Sequence, residues 1–262
     1  MLIAMIHARR RDSIEVQLRE GSVLRGALSF TEGTSGKVPS VVFAHGLGST
    51  GSGEKAQALE AECGSRCWNF ASFDFRGHGQ SDETLLELSG SRLIEDLEAI
   101  TRMVTSRAGG PLFLFGSSMG GWTAVWVAAR NPERIAACAL VAPALRFLEW
   151  NKLSEQERED WRRTGRIRIG SDPDAMELGC GLLQEAALYP YEILLNRFRT
   201  RSLIFHGMHD DLVPFSDSID FASRCAAADV ELRMFKDGDH RLNSHKTGIS
   251  RAACEFFWAG LL

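Results

Sequence analysis

The chain predicts an α/β fold built on a mostly parallel sheet. Two observations carry this. Short apolar runs of strand length alternate with helical segments from Val41 to Val141 and again from Ser202 onward. Most of these runs end in a turn rich in Gly, His, Asp or Pro, and not in a tight hairpin, as crossover connections require. A third observation is that the rhythm stops between them: residues 145–200 hold no strand of the central type.

Taken in order, Ile14–Leu18 and Val23–Phe30 alternate well enough for two strands, joined by Glu20-Gly21-Ser22 as an antiparallel hairpin at a sheet edge. A Gly-, Thr- and Ser-rich loop follows at 31–37. Val41–Ala44 reads as a buried strand ending in His45-Gly46-Leu47-Gly48-Ser49, before a helix from about 54 to 63. Trp68–Asp74 is the next strand, and its turn carries Arg76 and His78; Asp74 and Arg76 are spaced for an ion pair, and His78 reads as a turn residue. Leu93, Leu97, Ile100 and Val104 give one apolar face to a helix over 91–106, stopped by Gly109-Gly110-Pro111.

Leu112–Phe115 is too short for a buried helix and right for a central strand, while Trp122, Val125, Trp126 and Ala129 have helical spacing. Ile135–Val141 is a strand closed by Ala142-Pro143. The interruption contains a charged helical stretch, Ser154–Arg163, a short strand candidate at Ile167–Ile169, and apolar and aromatic residues from Leu182 to Phe198. Its Trp150, Trp161, Tyr189 and Tyr191 give it too much to bury for a linker. We therefore expect a core of 1–143 and 201–262, with 144–200 inserted as a helical cap over the carboxyl ends of the strands. Ser202–Phe205, a helix over about 216–227, Val230–Phe235 and a closing helix over roughly 247–260 complete the chain.

The chemistry gathers around Gly116-Ser117-Ser118-Met119-Gly120. Between strand and helix, a G-x-S-x-G turn must be tight, and glycine on both sides removes the Cβ atoms that would strike the neighbours. The turn lifts Ser118 clear of the sheet and puts the Met119 N–H at a helix N-terminus, which favours negative charge. A serine hydroxyl needs a base, and the base needs a group to fix its tautomer. In an open α/β sheet such groups lie at strand carboxyl ends. Of seven histidines, His7 precedes the domain, His45 and His206 sit before glycines where structural hydrogen bonds are expected, and His209 neighbours the acid. His240 is favoured over His245 because it lies in the turn after the last strand. Asp210 and Asp211 are adjacent candidates for the acid; Asp237 and Asp239 read as turn residues. The glycine-rich loop after Ala44 lacks the Lys-Ser/Thr of a phosphate loop and is better suited to aim the Leu47 N–H at an oxyanion, beside that of Met119.

Four stretches in register carry a resemblance: His45-Gly46-Leu47-Gly48, Asp74 to Ser81, Gly116 to Gly120, and His206 to Pro214, with Gly238-Asp239-His240 near the end. From about residue 20 onward the chain resembles the α/β-hydrolase superfamily. The resemblance implies an eight-stranded, mostly parallel sheet with helices on both faces, a catalytic acid at Asp210 and the family's histidine at His240. Residues 116–122, 206–210 and 236–242 resemble, more narrowly, bacterial hydrolases related to the mitochondrial depalmitoylating acyl-protein thioesterase. That likeness implies ester or thioester substrates with an acyl chain and no cofactor.

The expected activity is a serine hydrolase acting through an acyl-enzyme on Ser118, Asp210 and His240, with Leu145, Phe147 and Trp150 offering an apolar acyl pocket. The rivals are a peptidase or amidase on the same triad, which needs an acidic pair for a substrate amine, acyl transfer, and a non-catalytic binding protein on the fold. A net charge of −4 argues against nucleic acid, no apolar run reaches the length of a membrane span, and the default location is cytoplasmic. None of the six cysteines forms C-x-x-C or a zinc spacing; buried free thiols are expected at Cys138 and Cys254, and a Cys63–Cys67 bridge would have poor geometry.

Overall fold

A computed structural model describes residues 9–31, 38–170 and 175–261. The predicted hairpin is β1 (Arg9–Gln17) and β2 (Val23–Thr31), antiparallel from Arg9 opposite Thr31 to Gln17 opposite Val23. β3 (Ser40–Ala44), α1 (Glu54–Ser65), β4 (Asn69–Phe73), α2 (Gly90–Arg107), β5 (Leu112–Ser117), α3 (Met119–Arg130) and β6 (Ile135–Val141) alternate as the sequence expects. After β6 come α4 (Glu155–Thr164), β7 (Arg166–Ile169), β8 (Met176–Gly179) and the short helices α5 (Gly181–Gln184) and α6 (Tyr191–Arg197). The chain then returns through β9 (Ser202–Gly207), α7 (Phe215–Arg224), β10 (Val230–Phe235) and α8 (Lys246–Ala259).

Eight strands form one sheet in the order β1-β2-β4-β3-β5-β6-β9-β10. Pairing is antiparallel through β2–β4 and parallel from β4–β3 to β9–β10. The central strands are covered on both faces, which is why they are continuously apolar. The strand period of two divides them between two cores. Val42, Ala44, Leu112 and Leu114 face the core of α2 and α3. Val41, Phe43, Phe113 and Phe115 face that of α1 and α8, where Phe113 stacks on Phe257 with ring centroids 4.4 Å apart.

The segment between β6 and β9 joins the first of these cores through Trp161, Leu178, Leu182, Tyr189, Tyr191 and Leu194. It is not helical throughout. The expected strand at Ile167–Ile169 finds an antiparallel partner in β8, a four-residue run whose strand character comes from that pairing. His7 and positions 32–37 of the expected loop lie outside the described residues.

The expected Asp74–Arg76 pair does not form. Asp74 instead accepts the Gly51 N–H at 2.7 Å and the Gln80 N–H at 2.9 Å, bracing two loops. Arg76 turns to α2: its Nε donates to Asp96 Oδ1 at 2.7 Å and its Nη2 to Glu95 at 2.8 Å, while Nη1 reaches Glu20. The Arg76 N–H donates to Asp96 Oδ2 at 2.9 Å, so Asp96 binds both backbone and side chain of one residue. Both side chains are buried, at 2% and 1% exposure. A buried guanidinium needs that carboxylate close by, and a partner two residues away on the turn could not offer both oxygens while holding Gly51 and Gln80. Removing Asp96 leaves the buried guanidinium only the half-exposed Glu95 and Glu20 carboxylates and strips the Arg76 N–H of its acceptor. Asp96→Ala is therefore expected to lower unfolding stability by about 3–5 kcal/mol, read as a reduced midpoint in urea with an unchanged slope.

Candidate active site

The junction of β5 and α3 forces Ser118 into a backbone conformation that L-residues avoid, φ 53° and ψ −116°. Such a residue costs of order 1–3 kcal/mol and persists where its surroundings over-determine it. Here the Ser118 N–H donates to the Val141 carbonyl at 3.0 Å, and its own carbonyl accepts from Gly121, Trp122 and Ala144 at 2.9, 3.1 and 3.1 Å. The two flanking glycines let strand and helix close on the turn. A Cβ on Gly116 would stand 2.5 Å from the Gly120 carbonyl oxygen, and one on Gly120 would stand 2.1 Å from that of Ala44.

The result points Ser118 Oγ at His240. Their Oγ–Nε2 distance is 3.0 Å, and His240 Nδ1 lies 2.7 Å from Asp210 Oδ2. Asp210 follows β9, His240 follows the neighbouring β10 and Ser118 follows β5, two strands away from β9, so loops after three strands converge at the carboxyl end of the sheet. The adjacent acids part company: Asp211 is exposed, while the Asp210 side chain is fully buried. Burial alone would raise the Asp210 pKa. Hydrogen bonds from His206, His240 and the Val213 N–H outweigh it and hold this carboxyl below the usual range.

The loop after β3 lies against the nucleophile. A Cβ on Gly46 would come within 3.3 Å of Ser118 Cβ and 3.9 Å of its Oγ. Neither the Leu47 nor the Met119 N–H donates to another described group. His45 anchors the loop: its Nδ1–H donates to the Gly46 carbonyl at 2.8 Å and its Nε2 accepts the Phe75 N–H at 3.0 Å. Burial, with a contribution from His78, lowers the His45 pKa to about 3. His78 is buried too, its pKa lowered chiefly by desolvation, with Nδ1 set against the Arg76 carbonyl at 3.2 Å. His209 is exposed, and His245 packs against Phe235 with ring centroids 4.3 Å apart and the planes tilted by 34°. Asp239 accepts the Leu242 N–H at 2.7 Å as a turn residue, and Asp237 is exposed.

Two contacts were not legible in the sequence. Lys55, in the first turn of α1, donates to the carbonyl of Arg241 at 2.5 Å and to Asn243 Oδ1 at 3.1 Å, gripping the loop that carries His240. His206, four residues before Asp210, donates to the same carboxylate. The only sequence signal for the second was its spacing at a strand end.

Leu145, Phe147 and Trp150 leave the site along the segment that begins where the Ala144 N–H meets the Ser118 carbonyl. Leu145 is buried, and the half-buried Phe147 continues an aromatic series from Trp122 (5.9 Å) through Trp150 (6.2 Å) to Trp161, which Trp150 meets edge-on at 4.8 Å. A cavity of about 600 Å³ lies elsewhere, at the amino ends of β5, β6 and β9 among Thr105, Arg134 and Arg201, and holds no nucleophile–base pair. All six cysteines are free, with Cys138 and Cys254 buried. Among the described residues no group of three His, Cys, Asp or Glu side chains is placed to hold a metal ion, and no helix is long and apolar enough to cross a membrane.

Comparison with known proteins places the fold. The mouse mitochondrial palmitoyl-protein thioesterase ABHD10 is 30% identical over 227 residues, covering 84% of this chain and 74% of the relative. A mouse structure described as alpha/beta hydrolase domain-containing protein 10 superposes with a TM-score of 0.82 at 25% identity, covering 96% of this chain and 100% of that one. This chain belongs to the α/β-hydrolase family. The bovine ABHD10 thioesterase is likewise 30% identical, over 79% of this chain and 68% of its own. A family model described as serine aminopeptidase, S33, matches residues 37–162, a stretch that includes Ser118 but neither Asp210 nor His240. A putative hydrolase from Agrobacterium vitis shares the fold, with a TM-score of 0.83 at 23% identity over 95% of this chain and 99% of that one.

The neutrality of His45 fixes a pH dependence. Its folded pKa is depressed, so its contribution to stability is complete above the unfolded value of about 6.5 and is lost as pH falls toward about 3. Urea midpoints measured from neutral to acid pH are expected to fall across this window. They should fall less steeply in His45→Gln, whose amide has no proton to gain there. At the elbow, Gly120→Ala is expected to abolish labelling of Ser118 by a fluorophosphonate and to lower the Tm, because the new methyl meets backbone that cannot retreat.

Proposed function

We propose that this protein is a serine hydrolase of carboxylic esters and thioesters, working through an acyl-enzyme. The observation that carries the proposal is the continuous chain from Ser118 Oγ through His240 to Asp210, with steps of 3.0 and 2.7 Å. In this reading Ser118 Oγ attacks the substrate carbonyl carbon while His240 Nε2 takes its proton. The Leu47 and Met119 N–H groups stabilise the oxyanion, and their freedom from other acceptors suits them to it. His240 then returns the proton to the leaving alcohol or thiol. Water, deprotonated by the same imidazole, attacks the acyl carbon and regenerates Ser118. Asp210 holds Nδ1–H and stabilises the imidazolium.

The acyl group is assigned to the apolar side of the site. Residues 144–200 act in this reading as the cap, and Leu145, Phe147 and Trp150 present the surface on which an acyl chain lies. The relatives named as palmitoyl-protein thioesterases make a long S-acyl chain the first substrate to try.

An aminopeptidase reading would need carboxylates free to hold a substrate ammonium. The acidic run on α4 does not offer them. Glu155 is paired with Arg158 at 2.8 Å and Arg162 at 3.3 Å, Glu159 with Arg162 at 3.1 Å, and Asp160 with Arg163 at 2.9 Å. Glu157 closes the capping box with Ser154. These side chains stabilise their own helix.

Initial rates on p-nitrophenyl esters and S-acyl thioesters from acetyl to palmitoyl, beside Ser118→Ala, test the proposal. Turnover is expected to rise with chain length on thioesters and to fall roughly 10⁴–10⁶-fold in the variant. Hydrolysis of aminoacyl amides in preference to both ester classes would overturn it.

A further inference from the structure

Asp210 serves two histidines. His206, on β9, is completely buried. Its Nε2 lies 3.1 Å from Asp210 Oδ2 and 3.1 Å from the Val213 carbonyl oxygen. Its Nδ1 lies 2.7 Å from Ser218 Oγ on α7, and Ser218 is itself completely buried. Two acceptors face Nε2, so the proton sits there; Nδ1 is then a lone pair, and the Ser218 hydroxyl donates to it. Ser218 thus fixes the tautomer of His206 as Asp210 fixes that of His240.

The carboxylate is saturated by this arrangement. Oδ1 accepts the Leu212 and Val213 N–H groups at 3.0 and 2.8 Å. Oδ2 accepts His240 Nδ1–H at 2.7 Å and His206 Nε2–H at 3.1 Å. A carboxylate has about four lone-pair positions, and all are used. It can neither rotate nor lend the whole of Oδ2 to His240.

We infer that His206, held in one tautomer by Ser218, is a positioning residue that fixes the Asp210 carboxylate and divides its charge between two imidazoles. This rests on reading Ser118, His240 and Asp210 as the reacting chain. Hydrogen bonds to one acceptor oxygen compete, so the second donor weakens the pull of Oδ2 on the His240 imidazolium. The Asp210–His240 hydrogen bond is thereby weaker than a carboxylate serving His240 alone would make it. The surrounding charges do not take over this role. Asp217, next to Ser218, lies within electrostatic reach of His206 but is offset by Arg146, whose Nε stands 3.6 Å away and whose Nη2 also faces Asp220 at 3.6 Å. On the far side of His240, Lys55 lies within electrostatic reach of Asp239.

The test follows His240 itself. In protein labelled with ¹⁵N-histidine, the imidazole titration and the downfield Nδ1–H resonance are recorded for wild type, His206→Phe, Ser218→Ala and the conservative His206→Gln and Ser218→Thr. Removing the second donor should raise the His240 titration midpoint by about 0.5–1 pH unit and move the Nδ1–H resonance further downfield. On a p-nitrophenyl ester, kcat at slightly acid pH should fall roughly three- to tenfold with KM within about twofold, since the lost interaction acts on the base and not on substrate binding. His206→Gln, which keeps a donor at the Nε2 position, and Ser218→Thr, which keeps the hydroxyl, should stay near wild type. An unchanged midpoint, resonance and kcat in Ser218→Ala, or in folded His206→Phe, would overturn the inference and leave His206 a packing residue. The NMR readout reports on the Asp210–His240 pair whether or not any ester is turned over. Inactivity of wild type would therefore count against the proposed activity, and an unmoved resonance against this inference.

Discussion

The site depends on one strained peptide. Ser118 occupies a backbone conformation that costs energy, and it stays there because four backbone hydrogen bonds and two close glycine approaches leave no alternative. The constraint runs outward from there. The Ser118 N–H is held by the last residue of β6, and its carbonyl receives the Ala144 N–H beyond β6, so the start of the inserted segment is fixed by the nucleophile's own backbone. On the other side, Gly120 packs against Ala44 and His45, which ties the position of the Leu47 amide to the same turn. Ser118, the Leu47 loop and the first residues after β6 are thus tied together through backbone contacts.

His240 and Asp210 are held by different means. Both sit on loops fixed by side-chain hydrogen bonds to neighbouring segments. The Lys55 ammonium grips the loop beyond His240 through the Arg241 carbonyl, and Asp210 is fixed from four directions. Loops bring these groups together from separate strands, and the cost of ordering them is met by polar contacts that would be expensive to leave unmade. The same logic explains Arg76. Its turn is held by a carboxylate on α2, which couples the loop after β4 to the helix beneath it.

How much of this the sequence revealed follows from the range of each interaction. Ile135–Val141 and Val230–Phe235 were readable to the residue, because each strand is bounded by local turn chemistry. The elbow was readable because its requirement for glycine on either side of Ser118 is local. β8 was not, since Met176–Gly179 is a strand only by virtue of β7. The Arg76–Asp96 pair was hidden for the same reason: Asp74 was nearer in sequence, and only the fold brings Asp96 to the guanidinium. Asp210 and Asp211 could be told apart by resemblance but not by spacing. Turning a loop through adjacent acids buries one and exposes the other, and which is which is decided by the Leu212 and Val213 amides that bind Asp210.

The insertion is joined to α3, the helix that starts at the nucleophile, by aromatic packing. Trp122 is buried against Phe147 and Tyr189, and Tyr189 also meets Trp126 edge-on at 5.2 Å. Lifting the whole segment away would expose Trp122, Leu145, Trp161, Leu178, Leu182 and Leu194, each worth about 1.5–3 kcal/mol of lost burial, and would unpack the helix that orients Ser118. That sum is comparable to the total stability of an ordinary domain. The rim near Asp210 is held far more lightly. There the exposed Lys152 reaches across to the Leu212 carbonyl at 3.0 Å, between exposed Leu212 and a solvent-facing start of α4. A single exposed hydrogen bond contributes about 1 kcal/mol or less. Displacement of the segment is therefore cheapest at this rim, with the aromatic series and the turn at Ser118 left in place.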